Sequence, residues 1–302
     1  MRGLIFAIIG FLLSNSLFGQ DLEPRRWTEI PIGNHVIGGG YAFSFGDVFF
    51  DPILQVEDAT IEVNTIIASY ILPVRIGNKL GRIDATIPFA FEHWQGLLSD
   101  VPTSLNRTGF ADPRIRFSVN IIGATAEESK KLREYIAENP VRTTVGISVA
   151  VTLPIGQYFD DKLINLGQNR FVIRPQAGMI HTWNKWSFEL TASTFIITDN
   201  NNFYGGMKKE QKPIFAIQSH LIKRFKPGYW ASVSAGYGTG EEATIDGQSK
   251  DDKRVNFLGA LSLGFPLTKK QGAKIVYIRS QAIGDIGSDV NSFVLGWSLM
   301  MN

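Results

Sequence analysis

The feature that most constrains this chain is a two-residue alternation that returns along its length. In the run from Thr143 to Leu153, Thr143, Val145, Ile147, Val149, Val151 and Leu153 fall on one face. Thr144, Gly146, Ser148, Ala150 and Thr152 fall on the other. Successive side chains of a strand point to opposite faces, so a period of two means a strand with one apolar side and one small or polar side. About a dozen such segments, joined by connections of alternating length behind an export leader, describe a transmembrane β-barrel with lipid outside and water inside.

Residues 1–20 read as that leader. Arg2 supplies the positive start, Leu4–Leu13 the apolar run, and Ser14, Ser16 and Gly19 the small residues for cleavage before Gln20 or Asp21. The apolar run is too short for a helix crossing ~30 Å of hydrocarbon. An uncleaved anchor is the alternative. Residues 21–302 then form a single barrel domain in an outer membrane. No later segment offers the ~18 apolar residues of a helical span.

Composition agrees with this class. Hydrophobic residues make up 44% of the 302 residues and the mean hydropathy is +0.01, values that a helical membrane protein would exceed. A barrel escapes that expectation because half of each strand faces water. The formal net charge of +2 gives no basic excess, so no nucleic-acid partner is expected. With no cysteine there is no disulfide framework, thiol nucleophile or thiolate metal site.

Strands are predicted at 35–45, 60–72, 81–92, 113–122, 142–154, 170–181, 186–198, 213–225, 228–239, 254–266, 272–281 and 291–301. The number is even, as single-chain bacterial barrels require, and each segment suffices for the ~9–11 tilted residues of a spanning strand. With both termini periplasmic, the short turns fall at Val74–Leu80, Thr182–Lys185, Lys226–Gly228 and Leu267–Gln271. Gly77-Asn78, Pro227-Gly228 and Gln271-Gly272 serve them as turn residues. The longer, extracellular loops are Gly46–Ala59, His93–Asp112, Ile155–Asn169, Asp199–Lys212, Gly240–Lys253 and Ala282–Asn291. Gly123–Pro140 breaks the rhythm. It reads as a short amphipathic helix capped by Thr125 with Glu128, its apolar stripe formed by Leu132, Tyr135 and Ile136. It either covers the periplasmic rim or acts as a plug or docking element.

The lipid-facing rows are Ile115, Phe117, Val119 and Ile121; Trp186, Phe188, Leu190 and Ala192; Val255, Phe257, Leu261 and Leu263; and Phe293, Leu295, Trp297 and Leu299. Trp94, Tyr158, Phe159, Trp183, Trp186, Tyr229 and Trp230 gather at predicted strand ends, where interfacial girdles form.

The inward rows carry residues that lipid does not tolerate. A charge facing lipid at the midplane costs ~2–4 kcal/mol, which assigns these residues to the lumen. They are Arg82, Asp84 and Glu92; Arg114, Arg116, Ser118 and Asn120; Arg174 and Gln176; Glu189; and Gln218 and His220, with Lys274 as a further candidate. Asp84 or Glu92 is expected to pair with Arg114 or Arg116 across one hairpin. Such charges either neutralise one another and fill a narrow barrel or form a selective constriction; a mixture is expected.

Catalytic patterns are scarce. His35, His93, His181 and His220 show no metal-ligand spacing, and Ser219 and His220 are adjacent and point to opposite faces. Gly38-Gly39-Gly40 precedes no helix, so it serves strand geometry rather than phosphate binding. Asp47 and Asp51, and Asp160 and Asp161, fall in predicted loops, where divalent-ion or lipopolysaccharide bridging competes with simple solvation. No cofactor, metal or enzymatic activity is expected.

Ordered segments along the chain resemble one family. They are Asp21-Leu22-Glu23-Pro24-Arg25-Arg26-Trp27, Phe49-Phe50-Asp51-Pro52, Gly109-Phe110-Ala111-Asp112-Pro113-Arg114, the run Asp161–Arg170 (DKLINLGQNR) and Leu263-Gly264-Phe265-Pro266-Leu267. Together they resemble the MetA-pathway of phenol degradation family of outer-membrane transporters. The resemblance implies a porin-like barrel associated by name with aromatic catabolism, and it brings no catalytic residues. The chain departs from the usual aromatic C-terminal signal for barrel assembly. It ends Leu299-Met300-Met301-Asn302, with Trp297 as an internal substitute.

The functional expectation is a channel for passive uptake or efflux of small solutes, aromatic or hydrophobic compounds among them. The alternative is a non-conducting structural or adhesive barrel. Expected partners are outer-membrane lipid and lipopolysaccharide, the barrel-assembly machinery and a small-molecule solute.

Overall fold

The computed structural model describes residues 22–49, 56–240, 242–250, 252–283 and 286–301. The predicted leader and Asp51 lie outside them. Among the described residues, seventeen strands and a helix follow in chain order. They are β1 (His35–Phe49), β2 (Val56–Ile76), β3 (Lys79–Leu98), β4 (Val101–Phe110), β5 (Arg114–Ile122), α1 (Ser129–Glu138), β6 (Val141–Thr152), β7 (Val172–Trp183), β8 (Trp186–Ile197), β9 (Asn200–Phe203), β10 (Met207–Gln211), β11 (Ile214–Lys226), β12 (Tyr229–Gly240), β13 (Ala243–Ile245), β14 (Gln248–Ser249), β15 (Arg254–Pro266), β16 (Gln271–Ala282) and β17 (Gly287–Met301).

Twelve of them close an antiparallel ring in the order β1, β2, β3, β5, β6, β7, β8, β11, β12, β15, β16, β17, with β17 pairing back onto β1. Each neighbour in the ring is a neighbour in sequence once the loop strands are set aside, which makes an up-and-down barrel. Closure removes the sheet edges, so the wall strands pair with a neighbour on both sides, the arrangement a lipid environment favours. No described helix is long and apolar enough to cross a membrane.

The alternation sorts the faces as expected. Phe117, Ile147, Val149, Phe188, Val233, Phe257, Leu261, Leu263, Phe293 and Leu295 are all exposed on the outer wall. Ser118, Ser148, Ser187, Ser234 and Ser262 are buried on the inner one. The wall ladders shift register between Glu57 and Thr60, Asn120 and Ile122, and Arg224 and Lys226, and a further gap falls between β7 and β8. The β7–β8 ladder skips Arg174 and Pro175, because proline has no N–H to donate. The outer surface is hollowed there, with a volume of about 780 Å³ among Phe117, Val149, Pro175, Ala192 and Ile217.

Four expectations are corrected. The predicted loops 46–59 and 93–112 contain strand: β2 and β3 run for 21 and 20 residues, and β4 extends their hairpin. The outward positions there turn polar (Glu62 opposite His93), so the pairing continues above the apolar band. Backbone pairing does not require an apolar face, which is why hydrophobic patterning stops short. The loops at 199–212 and 240–253 likewise carry strand, joined in a small sheet of order β14-β13-β10-β9. Helix α1 starts later than predicted. Glu128 is its N-cap and makes no side-chain cap bond. Thr125 instead bridges Lys79 across the rim, and Leu132 is the buried anchor of the helix. Finally, Trp94 and Trp230 point inward rather than into a girdle. Trp94 packs with Ile61 and Val63, and Trp230 with Trp27 and Ile222.

Candidate functional site

All the predicted lumen residues lie on inward positions. Asp84, Glu92, Arg116, Asn120, Arg174, Gln176, Glu189, Gln218 and His220 are buried, and Arg82 and Arg114 are half-buried. What buries many of them is the chain's own N-terminal segment, residues 22–34, which rises from the periplasmic rim into the lumen before β1 begins.

At the rim, Ile32 N–H donates to Glu127 O (3.0 Å), beside α1. Above it, the Glu29 carboxylate accepts from Arg142 Nε (2.8 Å) and Nη2 (3.3 Å) and from Thr144 Oγ1 (3.3 Å). Trp27 is the seal. Its Nε1–H donates to Thr191 Oγ1 (2.8 Å), and the side chain packs on Ile180, Ile222 and Trp230. Two glycines make the seat. A Cβ on Gly146 or Gly178 would lie 2.3 Å from a Trp27 ring atom.

The next turn of the segment is held by its main chain. Glu189 accepts the backbone N–H of Arg25 on Oε2 (2.7 Å) and of Arg26 on Oε1 (2.8 Å). The Arg26 guanidinium contacts Asp84 at 3.0 Å, off the hydrogen-bond direction, so the attraction is Coulombic. Arg82 Nε–H donates to the other Asp84 oxygen, and Arg82 Nη1–H reaches Arg26 O (3.4 Å). Highest in the segment, the Glu23 carboxylate lies in a fork of guanidinium groups. Arg114 Nη2 donates to Oε1 (3.2 Å), Arg116 Nη2 to the same oxygen (3.1 Å) and Arg116 Nη1 to Oε2. Glu23 N–H points to Gln218 Oε1 (3.4 Å), and Leu22 packs on Leu258, Ala260 and Val276.

The segment lies tight against this side of the wall: Glu189 is 0% exposed and Trp27, Thr144, Thr191 and His220 are each 1% exposed. The predicted pairing of Arg116 with Asp84 does not form, although the two residues face each other in the β3–β5 register. Asp84 is taken by Arg26 and Arg82, and Arg116 by Glu23.

The other candidates bind to the wall instead. Arg174 stacks on Phe195 (4.4 Å), Ser148 Oγ–H donates to Gln176 Oε1 (3.1 Å), and His220 Nδ1 lies 2.7 Å from Ser234 Oγ. Ser234 is itself buried, and Glu189, opposite His220 in the register, is engaged with the segment, so His220 is packed into the wall. Glu92 accepts from Trp94 Nε1 (3.2 Å) higher in the barrel. Among the described residues no group of His, Asp and Glu has the arrangement of a metal site.

A second element enters from above. The loop 153–171 folds inward, so that Ile164 and Leu166 pack on Ile61, Val63, Trp94 and Val290. Asp112 pins it, accepting from Gly156 N–H (2.8 Å) and Gln168 N–H (2.7 Å). Burial pushes the Asp112 carboxyl above its ordinary range, and the two backbone donors oppose that shift. Asn165 ties the loop internally through Phe159 N–H and O.

Sequence reasoning missed Glu23, Arg25, Arg26, Trp27 and Glu29 as lumen residents. The signal present in the chain is a short, strandless stretch between leader and first strand, dense in charge of both signs and carrying a tryptophan.

A family model described as "Putative MetA-pathway of phenol degradation" matches residues 53–275. The chain belongs to that family. Among solved structures, the COG4313 outer membrane channel from Pseudomonas putida F1 is similar, with a TM-score of 0.76 at 18% identity, covering 93% of this chain and 100% of that one. This similarity shows that the MetA-pathway family member shares the fold of that channel. The translocator domain of the autotransporter NalP from Neisseria meningitidis (TM-score 0.47, 9% identity, 90% of each chain) and the NanC porin (TM-score 0.44, 10% identity, 88% of this chain and 98% of that one) are more distant. No curated protein matches the chain.

Proposed function

We propose that this protein is an outer-membrane channel for small solutes, and that its N-terminal segment is the gate. The observation that carries this reading is the way the lumen is filled. A barrel meant only to be solid would complete its core from the wall. Here the wall presents Arg82, Asp84, Arg114, Arg116, Glu189 and Gln218 to a separate, strandless segment that meets them through ion pairs and hydrogen bonds. Such contacts are exchangeable with water and solute, and the space they leave on withdrawal is polar and inside a closed ring.

In this reading residues 1–20 direct export and are removed, the short turns face the periplasm, and lipid and lipopolysaccharide surround the outer wall. Transport is passive, and the family's association with phenol degradation makes aromatic compounds the first solutes to try. No catalytic step is involved.

Liposome swelling tests the reading, comparing the natural protein with a Glu189→Ala variant that frees the segment. Heat-modifiable migration confirms that each barrel is folded. Slow swelling of the natural protein and faster swelling of the variant, with a size cut-off, are expected. A folded variant that passes no solute overturns the channel and leaves the structural or adhesive barrel, whose projecting β3–β4 hairpin is the natural contact surface.

A further inference from the structure

The tip of the N-terminal segment has the chemistry of a ligand. Glu23 places a carboxylate in the Arg114–Arg116 fork, with both oxygens engaged by Arg116. One residue away, Leu22 is buried against Leu258, Ala260 and Val276, its Cδ2 only 3.0 Å from where a Cβ on Gly236 would lie. An apolar body is held on one side of the lumen and its carboxylate on the other. The bidentate geometry is the one guanidinium groups use for planar carboxylates in general, not a feature of a peptide side chain.

Among the described residues the carboxylate that Arg116 pairs with is that of Glu23, which the segment and not the wall supplies. Asp84, opposite Arg116 in the register, is committed to Arg26 and Arg82. Arg116 has a side-chain exposure of only 4%, and a guanidinium left there without its anion carries a desolvation cost that pairing had offset. Withdrawal of Glu23 is therefore coupled to the arrival of another anion. The site is also reachable: the Glu23 and Arg114 side chains remain 31% and 25% exposed, whereas Trp27 and Glu189 below them are buried.

We propose that Leu22 and Glu23 occupy the binding site of the solute, and that the solute is an amphipathic monocarboxylate, an apolar body bearing one terminal carboxylate. Such a solute displaces Glu23 from the fork and Leu22 from its hollow, and so releases the gate. The proposal rests on the channel reading and names its substrate class.

The test uses the full-length protein in detergent or lipid, with two readouts. The first is trypsin cleavage after Arg25 and Arg26, which requires the segment to leave the lumen, because Arg26 is 5% exposed in the plugged state. Its rate follows the released population when closing is fast. The probe is phenylacetate, and the control is phenylacetamide, equal in shape and uncharged. Phenylacetate is expected to speed cleavage about tenfold and phenylacetamide to leave it unchanged. That tenfold is a shift of ~1.4 kcal/mol in the release equilibrium. Arg116→Gln is expected to abolish the difference between the two probes, and Arg114→Gln to reduce it; heat-modifiable migration shows that each variant is folded. Equal responses to the two probes, or none to either, overturn the carboxylate assignment.

The second readout is conductance in planar bilayers. Conductance without a phenylacetate-specific response leaves the channel standing and removes the substrate class. A phenylacetate-specific response in a barrel that never conducts supports the carboxylate site and overturns transport.

Discussion

Glu189 grips Arg26 by its main chain: the wall carboxylate accepts the Arg26 backbone N–H at 2.8 Å, and its other oxygen takes the N–H of Arg25 at 2.7 Å. The hold therefore does not depend on which side chains the segment carries at those positions. A hydrogen bond to a charged group contributes about 1.5–3 kcal/mol. Glu189→Gln keeps one acceptor and loses the other along with the charge. It is expected to raise tryptic cleavage after Arg25 and Arg26 by about tenfold or more, the change that ~1.4 kcal/mol produces. Barrel migration on gels should stay unchanged.

Trp27 is expected to carry most of the apolar hold on the segment. Trp27→Ala removes a side chain 1% exposed, and truncations of that kind cost about 3–5 kcal/mol. Gly146→Leu should reach the same end with the tryptophan intact, because even the first added carbon falls 2.3 Å from its ring. Both variants should give leaky proteins in single-channel recordings. A Gly146→Leu protein as quiet as the natural one would show that Trp27 does not seal the lumen.

Asp112 anchors the inward loop through two backbone amides on separate parts of it. Asp112→Ala leaves Gly156 N–H and Gln168 N–H without their acceptor. The expected loss is about 2–4 kcal/mol of local stability, confined to the loop. Hydrogen exchange reads this directly: the amides of Gly156, Gly167 and Gln168 should lose protection by an order of magnitude or more, while those of β15 keep theirs.

Leu261 lies in the middle of β15 and is 57% exposed on the outer wall. In lipid, Leu261→Arg should cost about 2–4 kcal/mol, measured by denaturant titration of folding into phosphatidylcholine liposomes. Thr103→Arg, exposed on the projecting β4, should change stability by less than about 0.5 kcal/mol. Equal effects at the two positions would contradict the placement of the bilayer against β15.

The sequence by itself determined the architecture. A period of two is a local property, written into each strand, so the alternation of Val145, Ile147 and Val149 with Thr144, Gly146 and Ser148 settles which side meets lipid without reference to any other strand. Consecutive hairpins then pair with their neighbours, and closure follows once both edges need partners. The inward placement of Arg116, Arg174, Glu189 and His220 comes from the same rule.

The tertiary structure alone decided what those residues do. Arg116 and Asp84 face each other in the register, and local logic pairs them, yet the partner of Arg116 is Glu23, 93 residues away in sequence. No periodicity encodes the occupant of a lumen, because the segment that fills it is not a strand and its bonds to the wall are long-range. The same holds for the loop 153–171, which reads as an extracellular connection and becomes an inward-folded cover once Asp112 holds both of its arms. Of the segments read as resembling the family, those around Glu23–Trp27 and Asp161–Arg170 fold into the barrel rather than forming it, and Asp112 holds the second of them in place.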